Sequence, residues 1–455
     1  MKGDFTRMTF DPTKHYSGVL EQQGRVQVDS DFNEMNDIHR YISRRLAADL
    51  IGRHGGPGDS FKIGSTKDQD NKEILRDFAI APGYYYVDGV LCENDRAVLF
   101  TGQSGTPLSL AALEGGKTYL AYLDVWERHL TAYEEETEEK IGIREVALLG
   151  PDTATRAQVV WQVKCVLIDD QSAVIDSDPE KAYGKFSDFL GGTMLSSGQL
   201  LARARKPQAQ DEPCVISPEA RYRGAENQLY RVEIHHGGIA KSSNVDKDKV
   251  ATFKWSRENG SVIFPIVEAN GEVVTLRDLG RESRFGLRPD DWVEIVDDDY
   301  VLQNRAEPLL QVKEIDRDGM RVKLKSAPAS AVGTDASKHP LLRRWDQPSD
   351  AIKVTETTGD DDTSWIPIEG GVQIQFPGLS GATGATYRTG DYWLIPARVA
   401  TGDVDWPGPQ SNPRPRPAHG IEHRYAPLGI ISIDTAGKVT APQDLRRTIK
   451  QLWLG

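Results

Sequence analysis

Cysteine is scarce in this sequence, and the three that occur lie far apart. Cys92, Cys165 and Cys214 form no Cys-x-x-Cys pair, and an odd count leaves one thiol over. Structural zinc sites and disulfide frameworks both need regularly spaced cysteines. The sequence therefore predicts neither, and we expect buried thiols made in a reducing cytoplasm.

Long hydrophobic runs are also missing. No window approaches about 18 uninterrupted apolar residues, so no transmembrane helix is expected. The first residues lack the apolar stretch of a secretory signal. We therefore expect synthesis in the cytoplasm without a signal peptide, and no direct insertion into a membrane.

Sequence motifs typical of catalytic sites do not occur either. No glycine-rich nucleotide loop stands between a strand and a helix, and there is no Gly-x-Ser-x-Gly elbow. His235 and His236 are adjacent, and neighbours on a strand point to opposite faces, so they would not readily share a metal. The sequence predicts no catalytic residues, no metal and no cofactor.

Charge and composition indicate a β-rich protein that avoids nucleic acid. The formal net charge is −13, which repels a polyanion. Forty-two glycines and 25 prolines lie between short apolar runs, which favours many short strands. We predict a mainly β, multi-domain fold of β-sandwich or small-barrel modules that follow an N-terminal arm and an amphipathic helix. The predicted segments are 1–60 (arm and helix), 61–190 (β domain), 191–271 (irregular, then a hairpin), 272–330 (small barrel-like module) and 331–455 (C-terminal β domain with a proline-rich loop).

Turn signals locate several strands within these segments. Asp88-Gly89, Asn259-Gly260 and Asp318-Gly319 stand between apolar runs, a pattern typical of β-hairpins. The run 119–126 is apolar on both faces and predicts a central strand. A short helix is expected near 196–204.

Residues 31–51 form the clearest helical pattern, with apolar residues spaced three or four apart. Asp31 can cap the helix with Glu34 three residues later, and Gly52 ends it. The apolar stripe packs either on its own domain or against symmetry mates around an axis. The polar arm 1–28 is expected to need a partner surface to become ordered. The predicted assembly residues are Phe5, Phe10, Phe32, Met35, Ile38, Ile42 and Leu46.

Two other functions remain open from the residues alone. Aromatic side chains such as Trp365 and Trp393 could stack on sugar rings, although cores and subunit contacts also use aromatics. Acidic triplets at Asp297–Asp299 and Asp360–Asp362 could supply the paired carboxylates of a glycosidase. A carbohydrate-binding or glycan-cleaving attachment protein is therefore the alternative. A scaffold stabilised by cations bound at 297–299 is a further one.

Motifs spread over nearly the whole chain carry a family resemblance. They include Met1–Arg7 (MKGDFTR), Gln22–Gln27 (QQGRVQ) with Asp29, Asp31, Asn33 and Glu34, Asp124–Arg128 (DVWER), Gly150–Arg156 (GPDTATR), Glu226–His235 (ENQLYRVEIH), Phe253–Val262 (FKWSRENGSV) and Gly390–Arg398 (GDYWLIPAR). These segments resemble a family of uncharacterised proteins associated with phage tails and phage-tail-like contractile injection systems. Phe32 stands where that family commonly has tryptophan.

The resemblance implies a non-enzymatic structural subunit at the baseplate or spike end of such a particle, as a plug, cage or fibre-type element. Its partners would be copies of itself, as a trimer or hexamer, and other baseplate, spike or tail proteins. It would be part of an assembled particle, virion-like or extracellular after lysis. The resemblance supplies no catalytic residues, and the β-helix extensions of some relatives are missing here.

Overall fold

The chain forms two compact units, each built from three separate stretches of sequence. The barrel unit consists of Met1–Met8, Leu130–Arg156 and Leu195–Ile421, and the helical unit of Thr9–His129, Ala157–Met194 and Glu422–Gly455. The structure is a computed structural model that describes residues 1–65, 74–105, 113–135, 142–170, 174–176, 178–194, 196–206, 220–240, 250–280, 284–359, 362–378, 384–440 and 442–450.

Short strands dominate the described residues. The α-helices are α1 (Asp29–Ile51), α2 (Pro179–Met194) and α3 (Asp298–Leu302), with 3-10 turns at Pro12–Lys14, Val146–Leu148, Ala336–Lys338 and Asp362–Ser364. The first strands are β1 (His54–Gly55), β2 (Ile63–Gly64), β3 (Ala79–Ile80), β4 (Gly83–Val87), β5 (Val90–Asn94), β6 (Val98–Leu99), β7 (Thr118–Leu130), β8 (Arg156–Leu167), β9 (Gln199–Ala204), β10 (Gln228–Ile234), β11 (Gly238–Ile239) and β12 (Thr252–Ser256). The next are β13 (Ile263–Asn270), β14 (Val273–Leu276), β15 (Trp292–Val296), β16 (Leu310–Asp316), β17 (Arg321–Leu324), β18 (Leu341–Trp345), β19 (Ile352–Lys353) and β20 (Glu356–Thr357). The last are β21 (Ile366–Pro367), β22 (Val372–Pro377), β23 (Thr386–Tyr387), β24 (Tyr392–Arg398), β25 (Asp403–Val404), β26 (Arg416–Pro417), β27 (Arg424–Ser432) and β28 (Gln443–Asp444).

The helical unit is organised around the long strand β7. Its main sheet has the order β28-β27-β7-β8, so β7 is a central strand, as its apolar run predicts. Two three-stranded sheets, β1-β4-β5 and β2-β3-β6, share a hydrophobic core with it. The Asp88-Gly89 turn joins β4 to β5 with Val87 opposite Val90, which confirms that hairpin.

The barrel unit contains a closed six-stranded barrel with the order β13-β14-β17-β16-β15-β18. Its core consists of the alternate, inward side chains of these strands, such as Val274, Val312 and Val322. The turn at Asp318-Gly319 connects β16 to β17 with Asp316 opposite Arg321, so this hairpin is confirmed as well. Strands β13 and β18 lie outside the predicted 272–330 module, because strand closure needs partners from beyond it.

A second core of the barrel unit lies between two sheets. One sheet has the order β19-β12-β10-β24-β25, and the other has the order β20-β22-β9-β26 with β21 beside β22. Buried side chains of both sheets, including Trp393 and Phe376, form one cluster. The prediction of a mainly β, multi-domain fold is confirmed.

Two local predictions are wrong. The Asn259-Gly260 turn forms, with φ of 52° and 65°, but β12 and β13 on either side do not pair. Strand β12 pairs with β10 and β19, whereas β13 enters the barrel between β14 and β18. The predicted helix near 196–204 is instead β9, which pairs with β22, because tertiary pairing overrides local helix propensity. The helix in this region is α2, ending before it.

Two cysteines and three α-helices lie within the described residues. Cys92 and Cys165 are free there, and Cys214 lies outside the described residues. Burial raises the pKa of the Cys92 thiol to about 12 and that of Cys165 further, so both stay protonated. No helix in the described parts of the chain is long and apolar enough to span a membrane.

Candidate assembly surface

The residues at the two ends of helix α1 determine where it begins and ends. Val28 is the extended residue before the first turn and makes no side-chain capping bond, so the predicted Asp31 cap is wrong. Glu34, the expected capping partner, accepts a hydrogen bond from Thr9 Oγ1 at 2.6 Å instead. Asp29 and Asp31 still place negative charge at the positive end of the helix dipole. Gly52 ends the helix with φ of 94°, as predicted.

The inner face of α1 is largely polar. Arg40 Nη1 and Arg44 Nη2 donate to the Glu127 carboxylate of β7 at 3.3 and 2.8 Å. Burial would raise the pKa of Glu127, but Arg44, Arg40 and Arg424 together outweigh it and hold that pKa below its usual value. Ile38 is the buried apolar residue of this face, at 1% exposure. Arg40 and Arg44 therefore connect the helix to β7 of its own unit, and Ile38 adds a buried apolar contact.

The outer face of α1 carries most of the predicted apolar stripe. Phe32, Ile42, Leu46 and Leu50 are 61%, 46%, 58% and 74% exposed. Residues at these spacings lie on one side of a helix. Packing on its own domain therefore accounts for Ile38 but not for these four. We call Phe32, Met35, Ile42, Leu46 and Leu50, with Val28 before them, the outer stripe; Met35 is half-buried.

Two predicted assembly residues contact their own chain. Phe5 packs against Leu229, Tyr392 and Leu394 in the barrel unit. The Phe10 ring lies 5.7 Å from the Tyr41 ring of α1 in the helical unit. The surface that orders the start of the arm is thus intramolecular.

The first residues are fixed to the barrel unit through their backbone. Arg231 Nη1 donates to the Met1 carbonyl at 3.0 Å, and Asn259 Nδ2 donates to the Gly3 carbonyl at 2.9 Å. Arg398 Nη2 donates to the Thr6 carbonyl at 2.7 Å. These three hydrogen bonds fix the backbone of the segment at separate points along its length.

A buried network of charges lies beneath this segment. Glu233 meets Lys2 at 3.0 Å and Arg231 at 2.5 Å, and Lys254 donates to both oxygens of Glu294 at 2.7 Å. Burial alone would raise the pKa of Glu294, but Lys254, His235 and Lys2 together outweigh it and lower that pKa to about 2. Burial lowers the pKa of Lys2 to about 8, against the pull of Glu233. The paired charges keep one another ionised away from water.

Sequence reasoning missed this network. In the alternating sequence of β10, Arg231 and Glu233 lie on the polar face, which the pattern predicts to be exposed to solvent. In the structure every residue of β10 is buried. A usable signal exists, because Glu233 lies opposite Lys254 on β12, and cross-strand pairs of opposite charge stabilise sheets. This signal can be used only if β10 is known to pair with β12. The turn between β12 and β13 instead predicts that those two strands pair with each other.

The histidine pair does not lie as predicted. Strand β10 ends at Ile234, so strand alternation does not apply, and the two rings touch with centroids 4.4 Å apart. Burial lowers the pKa of His235 to about 3 and that of His236 less far. The described residues contain no group of three or more histidine, cysteine, aspartate or glutamate side chains able to hold a metal.

The residues behind the two alternative functions have structural roles. Trp365 and Trp393 are 5% and 0% exposed, so neither presents a face to a sugar. Asp297 caps α3, Asp298 bonds His339 at 2.8 Å, and Asp299 bonds Lys338 at 2.6 Å. Protein groups already bind these carboxylates. Asp360 and Asp361 lie outside the described residues.

Comparison with known proteins supplies a family. A model of a family of unknown function, DUF6519, matches residues 1–179 and 192–440, which is most of the chain. The chain belongs to this family. No curated protein matches the chain, and no solved structure matches it. Membership in DUF6519 therefore covers both units but assigns no activity to either.

Proposed function

We propose that this member of DUF6519 is a non-enzymatic structural subunit that assembles with copies of itself through the outer stripe of α1. The observation that carries the proposal is the orientation of helix α1. Its ion pairs face its own unit, and its large apolar side chains face outward. Contiguous exposed apolar surface of this kind marks an interaction site in a soluble protein.

The spacing of the outer stripe favours another helix as its partner. Within α1, Phe32, Met35, Ile42 and Leu46 of the outer stripe, with His39 between Met35 and Ile42, follow alternating steps of three and four residues. This 3.5-residue period keeps one seam facing a neighbouring helix, whereas packing on a flat sheet has no such requirement. The same helix of further copies, arranged around a rotation axis, satisfies such a seam.

The identity of the seam residues favours a coiled coil of more than two helices. Leu46 and Phe32 take the first core position of each heptad, and Ile42 and Met35 take the second. Leucine at the first and isoleucine at the second position shift coiled coils toward trimers or tetramers. The polar His39 at a core position fixes register, as single polar core residues do. We infer a trimer around a rotation axis.

The same proposal places the chain in a phage-tail-like particle. The motifs from Met1–Arg7 to Gly390–Arg398 resemble proteins of phage tails and contractile injection systems, whose parts commonly share rotational symmetry. A trimeric subunit at the baseplate or spike end, as plug, cage or fibre-type element, fits that resemblance. Co-purification with sheath and tube proteins from the native source tests it, and recovery of the chain only outside such particles would contradict it.

Cysteine cross-linking tests the contact itself. Ile42→Cys places a thiol in the seam, and Leu149→Cys places one at a residue that is 99% exposed and lies outside α1. Under mild oxidation we expect Ile42→Cys to give covalent dimers because two copies of the seam residue meet. The native thiols Cys92 and Cys165 are buried or half-buried, and the unsubstituted chain controls for Cys214.

The Leu149→Cys variant decides the specificity of that result. It should stay uncrosslinked at the same protein concentration. Equal cross-linking of both variants, or none in Ile42→Cys, would contradict a seam through the outer stripe. Point substitutions are preferable to removal of residues 1–52, because that deletion also removes Lys2 and exposes the buried Glu233.

A further inference from the structure

The helical unit contains a cavity of about 310 Å³. It lies where β1 begins, beside the first turns of α2 and the residues that follow β28. All of its lining residues belong to this unit. An apolar cavity of roughly 150 Å³ already admits benzene, so this volume suffices for a ring that carries one polar group.

Part of the lining is apolar. It comes from four residues of separate segments, Val174, Tyr183, Pro427 and Leu445. The Tyr183 ring is fixed, because its hydroxyl donates to the Tyr425 carbonyl at 3.3 Å and its face stacks on His54 with the ring centroids 5.6 Å apart. Ligand sites combine such apolar surface with a few polar groups that orient the ligand.

His54 supplies a polar group whose protonation follows from its neighbours. Burial, aided by the charge of Arg447, lowers the pKa of His54 to about 4, so at pH 7 the ring is neutral and carries one N–H. Its Nδ1 lies 2.8 Å from the hydroxyl of Tyr85, which also accepts the backbone N–H of Arg447 at 3.1 Å. The buried Tyr85 hydroxyl has no other partner among the described residues, so it donates its proton to Nδ1. The imidazole proton is therefore on Nε2.

The Nε2–H of His54 is left to the cavity. His54 lines the cavity, whereas Tyr85, which binds the other ring nitrogen, does not. His54 is only 8% exposed, and its Nε2 makes no hydrogen bond to the described residues but retains accessible surface. A ligand in the cavity therefore reaches a donor that water hydrates poorly, and a hydrogen bond there gains more than one at an open surface.

Most charged groups of the lining are already paired. Arg446 binds Asp444 at 2.8 and 3.0 Å, Asp176 meets Lys185 at 3.1 Å, and Arg53 meets Asp88 at 3.1 Å. Arg447 is exposed and makes no ion pair among the described residues. Glu180 makes none there either, and its charge acts on Arg53. The charge of Arg447 acts on His54 instead, so these two side chains can bind the same acceptor.

We propose that this cavity binds a small flat molecule that ends in a carbonyl oxygen, either an aromatic carboxylate or an aromatic amide. Its ring would pack on the apolar lining, and its oxygen would accept from His54 Nε2 and from the Arg447 guanidinium. Three arginines and three carboxylates line the cavity, so its net charge requires neither an anion nor a cation. The shared carbonyl oxygen, rather than the charge of the ligand, therefore defines the class.

The test is a ligand-observed NMR titration of the full chain at pH 7 with benzoate and, separately, with benzamide. Benzylamine is the control ligand, because it carries the same ring but its ammonium group has no acceptor. We expect saturable binding of at least one carbonyl compound, and the two affinities tell carboxylate from amide recognition. Benzylamine should bind about tenfold more weakly. No saturable binding of either carbonyl compound, or equal binding of benzylamine, would overturn the proposal.

Ala182→Trp tests the position of the site without removing a polar group. Ala182 lies on α2 and lines the cavity, so an indole there should occupy the space of the ligand ring and abolish binding. Ala147→Trp is the matched control, since Ala147 is exposed in the turn Val146–Leu148 and does not line the cavity. It should bind as the parent does.

Arg447→Gln tests the role of the guanidinium. It removes the charge but keeps the backbone N–H that Tyr85 accepts. The affinity for benzoate should fall about tenfold because a charge-assisted hydrogen bond is lost, whereas the affinity for benzamide should change by less than about threefold. Arg321→Gln is the control, since the Arg321 side chain is 58% exposed and belongs to the barrel unit.

Unchanged binding in Ala182→Trp would place the ligand elsewhere and contradict the site. An equal loss in Ala147→Trp would do the same, because it would reflect general damage. Equal losses of benzoate affinity in Arg447→Gln and Arg321→Gln would contradict the role of Arg447. The melting temperature of each variant without ligand separates a folded variant from an unfolded one, and titration of the parent chain decides the proposal even if a variant fails to fold.

Discussion

His54 shows at the scale of a residue how burial sets charge in this protein. Its Nδ1 lies 2.8 Å from the Tyr85 hydroxyl, and its ring stacks on Tyr183 at 5.6 Å. Burial, aided by the charge of Arg447, lowers the pKa of His54 to about 4. The imidazole therefore stays neutral in the folded chain at pH 5, whereas in the unfolded chain it is largely protonated.

This difference predicts a pH dependence of stability. Because the folded pKa lies below the unfolded value, the contribution of His54 is complete above about pH 6.5 and declines as pH falls toward 4. Between pH 7 and 5 it should lower the free energy of unfolding by about 2 kcal/mol. Urea denaturation at both pH values measures this.

The control is the His54→Gln variant, which cannot titrate. Glu258, whose pKa burial and Asp4 raise to about 7, gains stability over the same interval and partly masks the loss in the parent chain. The comparison of parent with variant removes that contribution. If both lose the same stability between pH 7 and 5, the assignment of a neutral His54 is wrong.

At the scale of elements, the turn between β4 and β5 sets the position of α1. Gly89 has φ of 76°, and a Cβ there would lie 2.0 Å from the Arg44 carbonyl oxygen of the helix. The hairpin and the helix backbone therefore approach each other so closely at Gly89 that a side chain would not fit. Arg44 then reaches Glu127 from this position.

Substitution of Gly89 tests that contact. Gly89→Ala should destabilise the chain by more than the roughly 1–2 kcal/mol that positive φ alone costs, because the helix must also move. Gly271→Ala is the matched control, since Gly271 also turns a hairpin with φ of 59° but meets nothing within 4 Å. Thermal or urea unfolding of the two variants measures the difference; equal losses would mean that α1 does not depend on the close approach.

Elements also show what the sequence could and could not predict. Asp88-Gly89 and Asp318-Gly319 sit between strands that pair locally, so turn chemistry was sufficient. Asn259-Gly260 carries the same signal, but its strands find better partners in different sheets. Helix α1 is predicted within two residues at its start, whereas its outward orientation depends on Glu127 of a distant strand.

At the scale of the whole molecule, both units depend on contacts between distant parts of the chain. Strand β27 pairs with β7 through Tyr425 and Asp124, and the first residues complete the surface of the barrel unit. Such pairings leave no local periodicity in the sequence, and the stretches of the two units alternate along the chain. The buried charges around Glu233 were unpredictable for the same reason.

Assembly belongs to this scale as well, and it is the central claim. Sedimentation equilibrium of the full chain measures it most directly, with Leu46→Glu as the test variant and Leu149→Glu as the control, since Leu149 is 99% exposed and lies outside α1. We predict the mass of three chains for the parent and for Leu149→Glu, and the mass of one chain for Leu46→Glu, with unchanged stability because Leu46 is exposed. A single-chain mass for the parent, or three chains in Leu46→Glu, would contradict the account.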